Sequence, residues 1–224
     1  DHHQRLWFGT EGGLSLFDEN GSFTTFKKNK GVSDNKILSI LQDPSGIMWL
    51  GTYSGITKGI EVPFEQIDKG LASKIVLGFA ETTSSKSERT IWVAGYDGLT
   101  QLDSAGRVQN VLNAHSEPAL NDTRVMTVSG DNNILWFGTR GGGLGRLNVD
   151  NMEVDYLVHD PNKPKSLSFN GVTSIHLDQD ENLWVGTFGG GLNLLKHNGN
   201  GFVHFREQQG DLRSLNHDRV VAIS

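Results

Sequence analysis

Cysteine is absent from the chain, which removes disulfide scaffolding and thiolate metal sites from any account of its fold. Positive charge is also in short supply: 20 Lys and Arg face 26 Asp and Glu, for a formal charge of -6 at pH 7. A protein that grips nucleic acid through its phosphates needs basic surface, so nucleic acid is not an expected partner. No apolar run approaches the roughly 18 residues of a membrane span. No signal peptide precedes Asp1, and the missing initiator Met leaves a removed targeting segment or an excised domain open. No shift in composition marks a boundary along the 224 residues, so they read as a single domain or a fragment of one. That length can bury a core without covalent staples.

Glycine and the placing of tryptophan are what stand out. There are 28 glycines, where average usage would give about 16. The five tryptophans are Trp7, Trp49, Trp92, Trp136 and Trp184, separated by 42, 43, 44 and 48 residues. Each opens a related segment: Trp7-Phe8-Gly9-Thr10, Trp49-Leu50-Gly51-Thr52, Trp92-Val93-Ala94-Gly95, Trp136-Phe137-Gly138-Thr139 and Trp184-Val185-Gly186-Thr187. An aliphatic residue after glycine follows at Leu14, Ile56, Leu99, Leu144 and Leu192. A period in the low forties suits a propeller blade or a pair of helices, so periodicity inside the unit must decide.

The clearest unit runs from Gly171 to Arg206. Alternation over Val172 to Asp178 predicts a strand, and Asp180, Glu181 and Asn182 supply a turn. Leu183 to Thr187 predicts a second strand, Leu192 to Lys196 a third and Phe202 to Arg206 a fourth. Glycines interrupt every stretch long enough for a helix. The fold class is therefore all-β, a β-propeller of four-stranded antiparallel blades with five repeats. First strands are expected at Ile37 to Asp43, Ile75 to Glu81, Val125 to Ser129, Val172 to Asp178 and Val220 to Ser224. The second repeat is short after Ile56, with its outer strand expected around Phe64 to Ile67. In the third repeat, polar residues 82–89 read as an enlarged surface loop.

The two ends of the chain fit in phase. Val220 to Ser224 is a first strand lacking a second, and Asp1 to Thr10 is a second lacking a first. Joined, they place Trp7 11 positions after Val220, the distance from Val125 to Trp136. Closure of one blade by the two termini, a seam of residues 220–224 with the N-terminal segment, is the expectation. The alternative is an arc of a seven-bladed ring.

A Val/Ile strand ending in Asp, a turn, then Leu-Trp-Val-Gly-Thr and Gly-Gly-Gly-Leu resembles the two-component regulator propeller repeat. Asp178 through Leu192 carries the likeness most fully, and Leu135 through Leu144 nearly repeats it; Trp92-Val93-Ala94-Gly95 departs by losing the Gly-Thr pair. The resemblance implies the extracytoplasmic sensor region of a bacterial hybrid histidine kinase or diguanylate cyclase. It also implies a periplasmic location in an inner-membrane protein and a neighbouring propeller or immunoglobulin-like domain. A histidine kinase or cyclase domain would belong to the full-length protein, and this region itself is not expected to be an enzyme.

The recurrent residues read as architecture: tryptophans packed between sheets, and Gly9, Gly51, Gly138 and Gly186 as points of close approach. Aspartates such as Asp43 and Asp178 satisfy turn donors. Ligand choice is better sought where equivalent loops differ. The turn after the second strand offers Glu11, Tyr53, Tyr96, Asp97, Arg140 and Phe188, and the link entering the innermost strand offers Asn35, Lys36, Lys74, Arg124, Asn170, Asp218 and Arg219. Both should open on one face near the channel. The candidate ligand-binding residues are Tyr53, Tyr96, Arg140, Phe188, Arg124 and Arg219, for an oligosaccharide or a small anionic ligand held by stacking and fixed hydrogen bonds. A protein-interaction or homodimerisation propeller is the second reading. A glycoside hydrolase or lyase, using carboxylates such as Glu11, Asp97 and Asp218, is the third. No catalytic residue and no cofactor is expected. Nor is a metal: His159, His176, His197, His204 and His217 lack compact ligand spacing, and His2-His3 reads as a tag remnant or as plain polar residues.

Overall fold

Short alternating segments punctuated by glycine leave the chain one way to satisfy its backbone, which is to pair each segment with the next. The computed structural model describes residues 1, 5–18, 20–59, 64–197 and 199–223. The first sheet contains β1 (Leu6–Thr10), β2 (Gly13–Phe17) and β3 (Phe23–Phe26). The second contains β4 (Ile37–Gln42), β5 (Met48–Thr52), β6 (Gly55–Gly59) and β7 (Glu65–Ile67). The third contains β8 (Val76–Thr83), β9 (Arg89–Gly95), β10 (Gly98–Asp103) and β11 (Val108–Leu112). The fourth contains β12 (Val125–Asp131), β13 (Ile134–Thr139), β14 (Leu144–Asn148) and β15 (Glu153–Leu157). The fifth contains β16 (Val172–Leu177), β17 (Leu183–Thr187), β18 (Leu192–Leu195) and β19 (Phe202–Phe205). Within every sheet the strands lie in sequence order and pair antiparallel. The fold is all-β, with five sheets in the manner of propeller blades.

Four hydrophobic clusters lie between successive sheets. Leu14, Val32, Ile37 and Leu50 join the first to the second, and Trp49, Val76, Val93 and Leu102 the second to the third. Trp92, Leu99, Val125 and Phe137 join the third to the fourth, and Leu144, Val172 and Val185 the fourth to the fifth. The glycine shared by four of the five repeats makes this stacking close. A Cβ on Gly9 would stand 2.7 Å from Ile37, one on Gly51 2.6 Å from Val76 and one on Gly186 2.8 Å from Val220, and one on Gly138 would run into the Val172 side chain. The leading residue of each innermost strand thus fills the space that the preceding sheet leaves open.

Trp49 and Trp92 are fully buried, whereas Trp7, Trp136 and Trp184 are partly exposed. Four of these indole N–H groups are latched. Trp49 donates to Asp43 (2.9 Å), Trp184 to Asp178 (2.9 Å) and Trp7 to Asp1 (2.7 Å); in the third sheet, Trp92 donates to the Thr82 hydroxyl (3.0 Å). Asp178 also accepts from the N–H groups of Asp180 and Asn182. The Trp184 indole and these further donors hold its carboxyl down at about 2.

Three expectations change. Val76, not Ile75, leads the third innermost strand: it pairs with Gly95 as Ile37 pairs with Thr52 and Val172 with Thr187. Two adjacent β-branched residues fit the alternation either way, and contact with Gly51 selects Val76. Residues 82–89 are not all loop. Thr82 pairs with Thr90 and Thr83 with Arg89, so only 84–88 form the turn.

Closure by the termini is the third correction, since no sheet is closed into a ring among the described residues. Residues 220–223 form no strand, and the first sheet ends at β1. The C-terminal link instead docks on the fifth sheet. Gly191 donates its N–H to the Asp218 carbonyl (2.8 Å), Val220 donates to the Thr187 carbonyl (3.0 Å) and the Thr173 hydroxyl to the Val220 carbonyl. The seam fixes the phase of the repeat, whereas pairing requires the first and fifth sheets to meet. The sheets pack in series instead: the innermost strands β4 on β8, β8 on β12 and β12 on β16, with β1, a second strand, on β4. His2, His3 and Ser224 lie outside the described residues.

Candidate ligand-binding face

The Thr of each Trp-x-Gly-Thr segment shapes the turn that presents the variable residue. The Thr187 hydroxyl donates to the Gly191 carbonyl (2.9 Å) and accepts from the Gly190 N–H (3.0 Å). Thr139 does the same with Gly143 (3.0 Å) and Gly142 (2.8 Å), and Thr52 with Gly55 (2.9 Å) and Ser54 (3.0 Å). Glu11, Tyr53, Arg140 and Phe188 each follow such a Thr, so the staple puts them at equivalent points. Gly95 stands in place of the Thr before Tyr96, where the chain turns through Gly98 at a φ of 139°.

These turns share a face with the links entering the innermost strands, as expected. Gly55 donates to the Lys74 carbonyl (2.8 Å), Gly143 to Asn170 (3.0 Å), Arg140 to Arg124 (3.0 Å) and Phe188 to Gly171 (2.8 Å). The face divides into separate stations. At the first, Lys36 pairs with Glu11 (2.6 Å) and stands 4.9 Å from the Tyr53 ring centre. Its hydrogen bond from Lys36 draws the Glu11 carboxyl below the ordinary carboxylate range. Nearby, Asp34 accepts from the Ser54 hydroxyl (2.8 Å). At the second, Arg124 is clamped on Asp122 by two bonds of 2.9 and 3.0 Å beside Gly141 and Gly142. Burial pushes the Asp122 carboxyl up, but the Arg124 hydrogen bonds and charge prevail and hold it low.

The third station is a cavity of about 400 Å³ lined by Met126, Arg140, Phe169, Gly171, Val172, Thr173 and Phe188. Phe188 is 53% exposed and Phe169 44%. The guanidinium of Arg219 stands 4.2 Å from the Phe188 ring centre. Among the described residues, the Arg140 guanidinium has no hydrogen-bond or carboxylate partner. The candidates Arg140, Phe188 and Arg219 therefore come together. Tyr53 and Arg124 lie at other stations, and Tyr96 stands half-exposed on its own turn.

Phe169 and Met126 are cavity residues that the sequence reading did not nominate. A signal for Phe169 was there: once Val76 sets the register, its place in the link carries Asp34, Ser73, Asp122 and His217 in the other repeats. Of the carboxylates considered for hydrolysis, Glu11 is taken by Lys36, and Asp218 accepts the Glu207 N–H (2.7 Å). Among the described residues no group of three His, Asp or Glu could hold a metal ion, and no helix is long and apolar enough to cross a membrane.

The fold and this loop-built face define a propeller-type repeat module, and the comparisons with known proteins agree on that architecture. Residues 31–54 and 166–189 match the two component regulator propeller family, so the chain carries repeats of that type in its second and fifth sheets. A histidine kinase of Formosa agariphila, P4, is 27% identical over 197 residues, covering 82% of this chain and 14% of that protein. The extracellular domain of a hybrid two component system from B. thetaiotaomicron has the same fold. It is 23% identical, with a TM-score of 0.64, and the match covers 98% of this chain and 35% of that domain. Virginiamycin B lyase from Staphylococcus aureus shares the architecture at 14% identity and a TM-score of 0.66, over 92% of this chain and 67% of the lyase. Likeness at that level carries fold and no chemistry. The sequence-level likeness runs to that regulator propeller family and to the histidine kinase. The chain spans a minor part of the kinase and of the solved extracellular domain.

Proposed function

We propose that this chain is the ligand-sensing part of a bacterial signal-transduction receptor. It lies on the periplasmic side of the inner membrane, binds a saccharide or small anionic molecule, and passes occupancy to an output domain elsewhere in the protein. A histidine kinase or diguanylate cyclase would serve as that output, with a further propeller or immunoglobulin-like domain between. The repeat match and the likeness to a kinase and to an extracellular domain support the setting. The observation that carries ligand binding is the third station: a concave space of ligand size, lined mainly by apolar side chains together with Arg140, whose guanidinium has no partner among the described residues. Titration calorimetry against oligosaccharides and small organic acids tests it. Binding that weakens in Arg140→Ala and Phe188→Ala supports the reading. A ligand bound with unchanged affinity by both variants moves the site elsewhere.

The exposure of Leu6, Phe8 and Phe23 on the first sheet favours a second reading, a protein-interaction or homodimerisation propeller. Sedimentation velocity over a concentration series separates the two. Association that weakens in Phe23→Ser supports the apolar end as an interface, and a monomer at all concentrations removes it.

A further inference from the structure

Resting on the sensing reading, we infer that the third station takes an aromatic carboxylate, a planar apolar ring bearing an acid group, rather than a sugar. Two departures from the repeat build this station, and both point to that chemistry. At the last position of the link, Lys36, Arg124 and Arg219 carry long cationic side chains, whereas the fifth repeat has Gly171. A Cβ there would stand 3.0 Å from the Arg140 carbonyl, 3.1 Å from the Phe169 ring and 3.3 Å from the Phe188 Cβ. The cavity thus lies around the place where the other repeats put a side chain.

Two positions earlier, Phe169 replaces the residues that serve polar roles in other links. Asp122 neutralises Arg124 and Asp34 binds Ser54, but the fifth link offers no such carboxylate. Arg140 is left uncompensated among the described residues, and Arg219 stands over the Phe188 ring with no carboxylate partner among them. The hollow of about 450 Å³ at Arg124 differs in this respect, since its cation is satisfied by Asp122; the one of about 430 Å³ near Trp184 holds Arg213 paired with Asp211 and also Arg206, but a single Phe ring in place of two.

A sugar needs several fixed donors and acceptors around its ring, with carboxylates or amides to take its hydroxyl protons. The wall here supplies Met126, Val172 and two Phe rings, with the Thr173 hydroxyl already bound to the Val220 carbonyl. An aryl group placed between Phe169 and Phe188 buries apolar surface in edge or offset contact, while its carboxylate reaches the Arg140 fork.

Calorimetry with 4-hydroxybenzoate, D-glucuronate and cellobiose on the whole chain tests the inference. The expected result is binding of 4-hydroxybenzoate at least tenfold tighter than of glucuronate, and no heat with cellobiose. Phe188→Ala and Arg140→Gln should each weaken it about tenfold. Gly171→Arg, which installs the cation that three of the other repeats carry, should abolish binding while the circular dichroism and melting midpoint stay close to the parent's. Equal binding of glucuronate, or loss in Arg140→Gln with none in Phe188→Ala, overturns the aromatic assignment and leaves anion sensing standing. Failure of these probes together with every saccharide and acid in the wider titration overturns both.

Discussion

Trp92 and Trp7 occupy the same place in the repeat and meet different surroundings. Trp92, in the third sheet, has no exposed surface and sits in a cluster with Val125, Leu135 and Phe137 of the fourth. Trp7, in the first, is partly exposed beside Phe26 and Arg5, on a strand whose Leu6 and Phe8 face solvent. In a stacked array a side chain is buried by its neighbouring sheet, so one motif has different energetic weight at an end and in the middle.

The largest expected effect tests that inequality directly. Trp92→Ala should destabilise the chain by about 3–5 kcal/mol, the range for a buried aromatic, and Trp7→Ala by about 1 kcal/mol. Trp184, partly exposed against Phe205, should fall between them. Urea midpoints of the three variants check the order; equal losses would mean that both end sheets are as enclosed as the middle.

Next come the glycines at the sheet interfaces. Gly51→Ala would drive a methyl into Val76 of the following sheet, costing about 1–3 kcal/mol by overpacking. Gly189→Ala meets open space and should leave the midpoint unchanged. Thermal melts decide this, and a neutral Gly51→Ala would remove close approach as the reason for that glycine.

Much of this framework was legible because the repeat states it several times. The strand β17 was read to the residue, and the role assigned to Gly51 and Gly138 follows from a fixed offset that only packing explains. What escaped depended on neighbours rather than on local pattern. Ile75 and Val76 are interchangeable by alternation, and the termini share a phase without being brought together. Of the residues around the cavity, Arg140 and Phe188 were nominated from variation at matched turns and Arg219 from variation in the matched links. Phe169 was missed because the residues nominated from the links were all polar ones, and Met126 because candidates were sought in loops while it lies in a strand. Tyr53 and Arg124 looked like equals of Arg140 in sequence, yet Lys36 is paired with Glu11 beside the one and Asp122 neutralises the other.

A smaller contrast is expected in acid. Above pH 4 the ionised Asp178 stabilises the fifth sheet, because its folded value of about 2 lies below the ordinary 3.8; that stabilisation drains away as pH falls toward 2. Trp92 is latched to Thr82, which does not titrate. Asp178→Asn should therefore flatten the fall of the denaturation midpoint between pH 4 and 2, while Thr82→Val lowers the midpoint equally across that range. An unchanged acid limb in Asp178→Asn would assign the acid sensitivity to other carboxylates.

The smallest effect is expected where the end sheet meets its neighbour. Glu11, on the β1–β2 turn, reaches Lys36 in the link to β4; the Glu11 side chain is 82% exposed and that of Lys36 39%. An ion pair so placed is screened by salt and offset by the entropy of ordering two long side chains. Glu11→Gln should leave the urea midpoint unchanged at any salt concentration. Local opening is the finer measure, since the first sheet has one neighbour and an unpaired β1 edge. Hydrogen exchange should accelerate in β1 to β3 of the variant and stay constant in β8 to β15. A lowered global midpoint would show that the first sheet unfolds with the rest, and the contrast between Trp7 and Trp92 would then have to be sought in side-chain packing alone.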